Sequence, residues 1–119
     1  MGKTIIFYRT ADGKCPVQEF LDSLPGKAAQ KAAWVLSLIE DFDIVPSSYF
    51  KKLVSTEEIW ECRIQLGSNA YRIFSFLDGN SVVVLTHGLI KKTQKPPQRE
   101  IERAEAYRKD YLQRRLKNE

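Results

Sequence analysis

The chain has 119 residues, of which 43% are hydrophobic and 29% charged, and its formal net charge is +4. This balance argues against an intrinsically disordered chain and predicts one globular domain over residues 1–119. No apolar run approaches the roughly 18 residues that span a membrane, and the N-terminal apolar run is too short for a signal peptide. We therefore predict a cytoplasmic protein.

The positive charge is concentrated in the C-terminal half. Residues 1–50 carry five Lys and Arg against six Asp and Glu, whereas residues 51–119 carry fourteen against nine. Within residues 91–117 there are ten basic and four acidic side chains. This asymmetry predicts an anionic partner on the C-terminal half, with a solvated, salt-bridged basic helix as the alternative.

The N-terminal half passes from strand to helix. Residues 3–9 are β-branched and aromatic, which predicts a first strand. Apolar residues at i, i+3, i+4 and i+7 predict a helix over residues 17–24, and a second apolar stripe predicts another over residues 28–39. Pro25 and Gly26 separate these two helices.

The C-terminal half changes to the two-residue period of strands. Candidate strands cover residues 50–54, Ile59–Leu66, 70–77 and 82–86, and Asp78-Gly79-Asn80 is a strong hairpin signal. A helical pattern over Gln98–Lys117 follows Pro96 and Pro97. The order β-α-α-β-β-β-β-α predicts an α+β fold. We expect an antiparallel meander sheet with two N-terminal helices and one C-terminal helix covering one face.

The only histidine, His87, ends the last predicted strand, and Gly88 is predicted to turn the chain there. Lys91, Lys92 and Lys95 follow within eight residues. A side chain that titrates near neutrality thus lies beside fixed positive charge, which suits a phosphate backbone better than an apolar ligand. The alternatives are a structural histidine at a strand end and solvated loop lysines.

Two arginines interrupt apolar strands on either side of the Gly67 turn. Arg63 and Arg72 are predicted to lie side by side on adjacent antiparallel strands, and neither can be buried without a partner. Each alone is most simply a structural ion pair with Glu61 or a neighbouring carboxylate. Convergence of both with His87, Lys91 and Lys92 would instead form an anion site.

Several kinds of catalytic site find no support in the sequence. We find no Gly-rich phosphate loop, metal-ligand cluster, nucleophile elbow or pairing of histidine with a carboxylate. A single histidine also excludes a two-histidine ribonuclease. Cys15 and Cys62 lack metal-ligand spacing, so we predict reduced, unpaired thiols. We predict no metal and no cofactor.

Three segments of the chain resemble a known family. IWECRIQL, AYRIFSF and VVLTHGLIKKTQKPPQREIERA are similar, in order and spacing, to the RelE/ParE toxin superfamily. The nearest resemblance is to the HigB-like, phage Gp49-like toxins of type II toxin–antitoxin pairs, and it spans about residues 57–106. It implies a RelE-like fold with a basic sheet face and a metal-independent endoribonuclease, or mRNA interferase, that inhibits translation by cutting mRNA on the ribosome.

The resemblance also implies roles for individual residues. Arg63, Arg72 and His87 would be catalytic, the arginines on the phosphate and the histidine as acid or base. Lys91, Lys92 and Lys95 would bind RNA or the ribosome. The partner would be an antitoxin, HigA-like with a helix-turn-helix domain.

The chain departs from the family pattern at uncharged positions. Thr86 and Leu89 replace the commoner Leu and Phe around His-Gly. Ser75 replaces an aromatic residue that could stack on a base or, as a tyrosine, act as an acid or base. Because gyrase-poisoning members share the fold, a ParE-like inhibitor without catalysis is an alternative. A non-toxic RNA-binding domain or decayed toxin is another.

Overall fold

The computed structural model describes residues 2–54, 56 and 58–118. The elements run in the predicted α+β order: β1 (Thr4–Phe7), α1 (Pro16–Ser23), α2 (Gly26–Asp41), β2 (Phe50–Lys52), β3 (Ile59–Leu66), β4 (Asn69–Asp78), β5 (Val82–Lys91) and α3 (Gln98–Lys117). Both β3 and α3 have their predicted bounds. Within this described part of the chain, no helix is both long and apolar enough to cross a membrane.

The strands form one mixed sheet in the order β1-β5-β4-β3-β2. Strands β2 to β5 make the predicted antiparallel meander. Strand β1 instead pairs in parallel with β5, which the prediction of an antiparallel sheet did not include. The pairing covers the first half of the β5 edge, whose backbone N–H and C=O groups would otherwise be unpaired.

The helices cover both faces of the sheet, so the prediction that they share one face is wrong. Helices α1 and α2 pack on one face, whereas Ile101 and Ala104 of α3 pack against Phe74 and Phe76 on the other, here called the α3 face. The physical reason is β4, which is buried at every residue from 71 to 76. A strand buried on both sides needs cover on both sides.

Strand β5 does not end at His87. It continues through Gly88 to Lys91, so the predicted turn at Gly88 is wrong. The glycine is required by packing, because a Cβ atom there would lie 2.2 Å from Cδ2 of the Phe20 ring on α1. The irregular point is a β-bulge: Phe74 pairs with His87 but Ser75 pairs with Leu85, which leaves Thr86 as the extra residue.

Polar contacts attach the C-terminal part of α3 to the sheet. The Tyr8 hydroxyl donates a 2.6 Å hydrogen bond to Asp110, and the Tyr111 hydroxyl donates a 3.0 Å bond to Asp78. Burial and the Asp110 contact raise the pKa of Tyr8 to about 12, so its hydroxyl stays protonated as a donor. These contacts hold the N-terminal part of α3 over β4 and β5. The predicted site residues lie on and next to these two strands.

Candidate anion-binding site

Arg63 and Arg72 lie directly opposite each other on β3 and β4, as predicted. Both contact one carboxylate: Glu61 Oε1 lies 3.7 Å from Arg72 Nε and 3.9 Å from Arg63 Nε. The ion pair with Glu61, which was the simplest interpretation of each arginine alone, is therefore present. Glu61 and Arg72 are only 6% and 5% exposed, whereas the Arg63 side chain is more open.

The Arg72 guanidinium is held in place by its neighbours. Its Nη1 donates a 3.0 Å hydrogen bond to the Tyr71 carbonyl, in addition to the ion pair with Glu61. Burial lowers the pKa of Arg72, which the Glu61 charge partly offsets and the Arg63 charge reinforces. Because an arginine is not deprotonated in proteins, Arg72 is a fixed cation at the base of the site.

A cavity of about 220 Å³ opens above Arg72, between the end of β5 and the start of α3. We call it the basic cavity, and its charged lining consists of the cations Arg72, Lys91, Lys92, Lys95 and Arg99 and the carboxylates Glu61 and Glu100. Four of the six predicted site residues thus meet around one cavity. Such an excess of cations in a partly enclosed space is suited to a phosphate group.

Lys91 differs from the other lysines because it still belongs to β5. Burial, together with the charges of Arg72 and Arg63, lowers the pKa of Lys91. The direction follows from electrostatics, since loss of its proton relieves repulsion from two arginines. Lys91 can therefore give up a proton more readily than an isolated lysine.

Arg63 faces a neighbouring cavity rather than the basic cavity. It lines that space together with Lys51 and Lys52 of β2, while Glu61 and Lys95 belong to both cavities. Its Nη1 also donates a 3.3 Å hydrogen bond to the Ser47 carbonyl. The two arginines are thus adjacent on the sheet, but only Arg72 reaches the basic cavity.

His87 is buried beneath α3. Its imidazole is 1% exposed, stacks on Phe74 with ring centroids 4.9 Å apart, and meets Tyr107 edge to face. Burial and the charge of Arg103 lower the pKa of His87 to about 3. The imidazole is therefore neutral near pH 7, and it lines a separate cavity with Arg103 and Lys14.

A carboxylate does approach the histidine, so the prediction that no such pairing exists is wrong. Glu100 Oε1 in the first turn of α3 lies 3.4 Å from His87 Nε2. The same Glu100 lines the basic cavity and lies 3.8 Å from Arg103 Nη1. Because α3 crosses the opposite face from α1 and α2, spacing along the sequence could not reveal this contact.

No cluster of three or more His, Cys, Asp and Glu suited to a metal ion occurs within residues 2–54, 56 and 58–118. Cys15 and Cys62 are buried free cysteines, and the Cys62 thiol donates a 4.0 Å hydrogen bond to the Ser75 hydroxyl. Burial raises the pKa of Cys62 to about 12, which leaves it a neutral core side chain.

The family comparison covers this site. The model of the family described as phage-derived protein Gp49-like (DUF891) matches residues 19–109. This chain belongs to that family. The Gp49-like family is a RelE/HigB-like toxin family and is associated with endoribonuclease toxins. A comparison with curated proteins finds no match.

The matched segment of this Gp49-like chain contains every residue of the basic cavity and also His87. It ends before the Asp110 and Tyr111 contacts that attach α3. The sequence prediction had missed Glu100 and Arg99 as site residues. One feature of the sequence could have indicated them: both residues closely follow Pro96-Pro97, where α3 begins beside the lysines.

Proposed function

We propose that this Gp49-like chain is the toxin of a type II toxin–antitoxin pair and acts as an mRNA endoribonuclease that inhibits translation. The observation that carries the proposal is the basic cavity, where Arg72, Lys91 and Lys92 surround a space that fits a phosphate. The family supports it, because its members are toxins of the RelE/HigB type. We further propose that the protein acts in the cytoplasm, where mRNA is translated.

The proposed chemistry is attack of a ribose 2′-hydroxyl on its own 3′-phosphate, without a metal ion. Arg72 binds the phosphate from below, and Arg63 reinforces the positive field from the adjacent strand. Charge that develops on the phosphorane is stabilised by these fixed cations, which need no reorganisation during the reaction. Lys92 and Lys95 hold the backbone on either side, and binding by the ribosome would set the register.

Proton transfer needs a base for the 2′-hydroxyl and an acid for the leaving 5′-oxygen. Lys91 is suited to the acid role, because its lowered pKa and its place in the basic cavity favour release of a proton. Of the two roles expected for His87, acid or base, we propose that of the base. With a pKa of about 3 and no direct opening to the basic cavity, it can act only through a group that reaches the substrate.

The proposed partner is an antitoxin, since Gp49-like toxins are generally paired with one. We propose a HigA-like helix-turn-helix protein, which would both neutralise the toxin and repress the operon. The basic surface around Lys92 and Lys95 must be free for RNA and either covered or distorted in the complex.

The test is cleavage of a defined mRNA, with and without programmed ribosomes, by purified protein that has been stripped with EDTA and returned to Mg²⁺-containing ribosome buffer. We expect cuts that require ribosomes and are as fast with the EDTA-stripped protein as with untreated protein. Lys91→Ala/Lys92→Ala should lose at least tenfold in rate, whereas Lys27→Ala, an exposed lysine on α2 across the sheet, should cut normally. Intact mRNA in every reaction would overturn the proposal.

A further inference from the structure

The hydroxyl of Thr86 lies between the Phe74 carbonyl and one ring nitrogen of His87. Thr86 Oγ1 lies 3.1 Å from the Phe74 carbonyl and 3.1 Å from His87 Nδ1. A carbonyl can only accept, so the single hydroxyl proton is donated to Phe74. The contact with Nδ1 is then a hydrogen bond only if Nδ1 is protonated and donates to Thr86.

This assignment leaves Nε2 with a lone pair. Nε2 is buried, and among the described residues none gives it a hydrogen bond of good geometry. Glu100 Oε1 lies 3.4 Å from Nε2, and a carboxylate oxygen is also an acceptor when the group is ionised. Two acceptors that face each other cannot form a hydrogen bond until one of them takes up a proton. If the Glu100 carboxylate is protonated, its O–H can donate to Nε2.

Of these two groups, only Glu100 reaches the basic cavity. The Glu100 side chain is partly exposed and lines that cavity, whereas His87 is buried behind it. Arg103, from the next turn of α3, lies 3.8 Å from Glu100 Oε1, and its charge lowers the pKa of His87. The second cavity beside the imidazole is also lined by the polar side chains of Tyr107, Thr10, Lys14 and Glu19.

We propose, resting on the endoribonuclease function above, that Thr86 is a positioning residue and that Glu100 and His87 together accept the proton of the ribose 2′-hydroxyl. Glu100 contacts the hydroxyl, and the proton it takes is held in a hydrogen bond to Nε2. Thr86 keeps Nε2 unprotonated so that it can accept this bond.

One cleavage exchanges one P–O bond for another and moves two protons. The O2′–H bond breaks and its proton moves to Glu100, while O2′ forms a bond to phosphorus. The P–O5′ bond breaks, and O5′ takes a proton from the Lys91 ammonium. The products are a 2′,3′-cyclic phosphate and a 5′-hydroxyl, and exchange with water returns Lys91 and Glu100 to their starting states.

The first arm of the experiment reads the tautomer directly. His87 is the only histidine, so the imidazole nitrogen resonances of the ¹⁵N-labelled protein belong to one residue. We expect the Nδ1–H pattern in the parent chain and in Thr86→Ser, which keeps the hydroxyl. Thr86→Val, which is nearly isosteric, should shift the pattern to Nε2–H, because that proton can be donated to Glu100. An unchanged pattern in Thr86→Val would overturn the positioning role.

The second arm measures cleavage of ribosome-bound mRNA under single-turnover conditions. Thr86→Val and Glu100→Gln should each slow cleavage by at least tenfold at unchanged RNA affinity, with Thr86→Ser within about threefold of the parent. If Thr86→Val shifts the tautomer yet cleaves at the parent rate, the inference fails while the proposed function stands. If the parent chain cuts nothing, the proposed function fails, and the proton transfer fails with it.

Discussion

Arg72 Nε lies 3.7 Å from Glu61 Oε1, and both side chains are almost completely buried. Taking two charges out of water is costly, and the pair is stable only while both partners are present. Arg72 therefore has two roles, since it compensates Glu61 in the fold and presents a cation to the basic cavity. Variants at this position must separate loss of folding from loss of function.

Removing Arg72 alone should destabilise the protein. Arg72→Ala leaves Glu61 with only the more distant Arg63, and we expect a loss of about 2–4 kcal/mol in the free energy of unfolding measured in urea. Arg63→Ala, at a more exposed side chain, should cost about 1 kcal/mol or less. Equal losses in the two variants would contradict the burial argument.

The double variant Glu61→Gln/Arg72→Gln separates folding from function. Because it removes both buried charges together, most of the stability lost in Arg72→Ala should return. RNA cleavage should stay at least tenfold below that of the parent, since the cation under the cavity is still missing. Recovery of cleavage along with stability would show that Arg72 has a structural role alone.

Gly88 should not tolerate a side chain. A Cβ atom at this position would lie 2.2 Å from the Phe20 ring, so Gly88→Ala must displace this ring, α1 or β5. We expect a loss of about 1–3 kcal/mol in the free energy of unfolding. Gly26→Ala is the matched control, because nothing lies within 4 Å of its Cβ position, and it should be close to neutral. Similar losses in both variants would refute the packing argument.

The buried histidine should make stability depend on pH. The pKa of His87 is lowered from 6.5 to about 3, so between these values the unfolded chain binds a proton that the folded chain does not. The free energy of unfolding should therefore fall as the pH is lowered from about 6.5 towards 3, by up to about 1.4 kcal/mol per pH unit.

The control for this pH effect is His87→Gln. Carboxylates, including the neighbouring Glu100, still titrate in that variant, so the difference between the two pH profiles isolates the histidine. We expect a shallower decline in urea unfolding experiments between pH 6.5 and 4.5. Parallel profiles would show that the imidazole has its ordinary pKa in the folded protein.

RNA binding should depend strongly on salt through the three lysines of the basic cavity. Each phosphate contact to single-stranded RNA contributes about 0.7 to the slope of log K against log salt concentration. Replacing Lys91, Lys92 and Lys95 with alanine should thus reduce the slope by about 2 in a fluorescence anisotropy titration. Lys27→Ala should leave it unchanged, because Lys27 lies on α2, and equal effects would indicate non-specific attraction.

Local patterns in the sequence predicted the elements that depend on neighbouring residues. The alternation in β3 and β4 and the turn at Gly67 together placed Arg63 opposite Arg72, which is confirmed. The helical pattern after Pro97 predicted α3 with its bounds. In each case the deciding interactions lie within one hairpin or one helix, so a short stretch of sequence contains them.

Features that depend on distant contacts were not predictable in this way. Gly88 has the local signature of a turn, and only the approach of Phe20 from α1 shows why a strand needs glycine there. The parallel pairing of β1 with β5 joins segments nearly eighty positions apart, as in Thr4 with Val82. The contact between His87 and Glu100 depends on α3 crossing the second face of the sheet.

The most direct test of the central claim maps transcript ends in cells after induction of this chain. Endonucleolytic action predicts new 5′ ends within coding regions by primer extension, together with arrest of protein synthesis. These ends should be absent after induction of the Glu61→Gln/Arg72→Gln variant at equal protein level. Intact transcripts accompanied by a DNA-damage response in the parent would contradict the claim and would instead favour inhibition of gyrase.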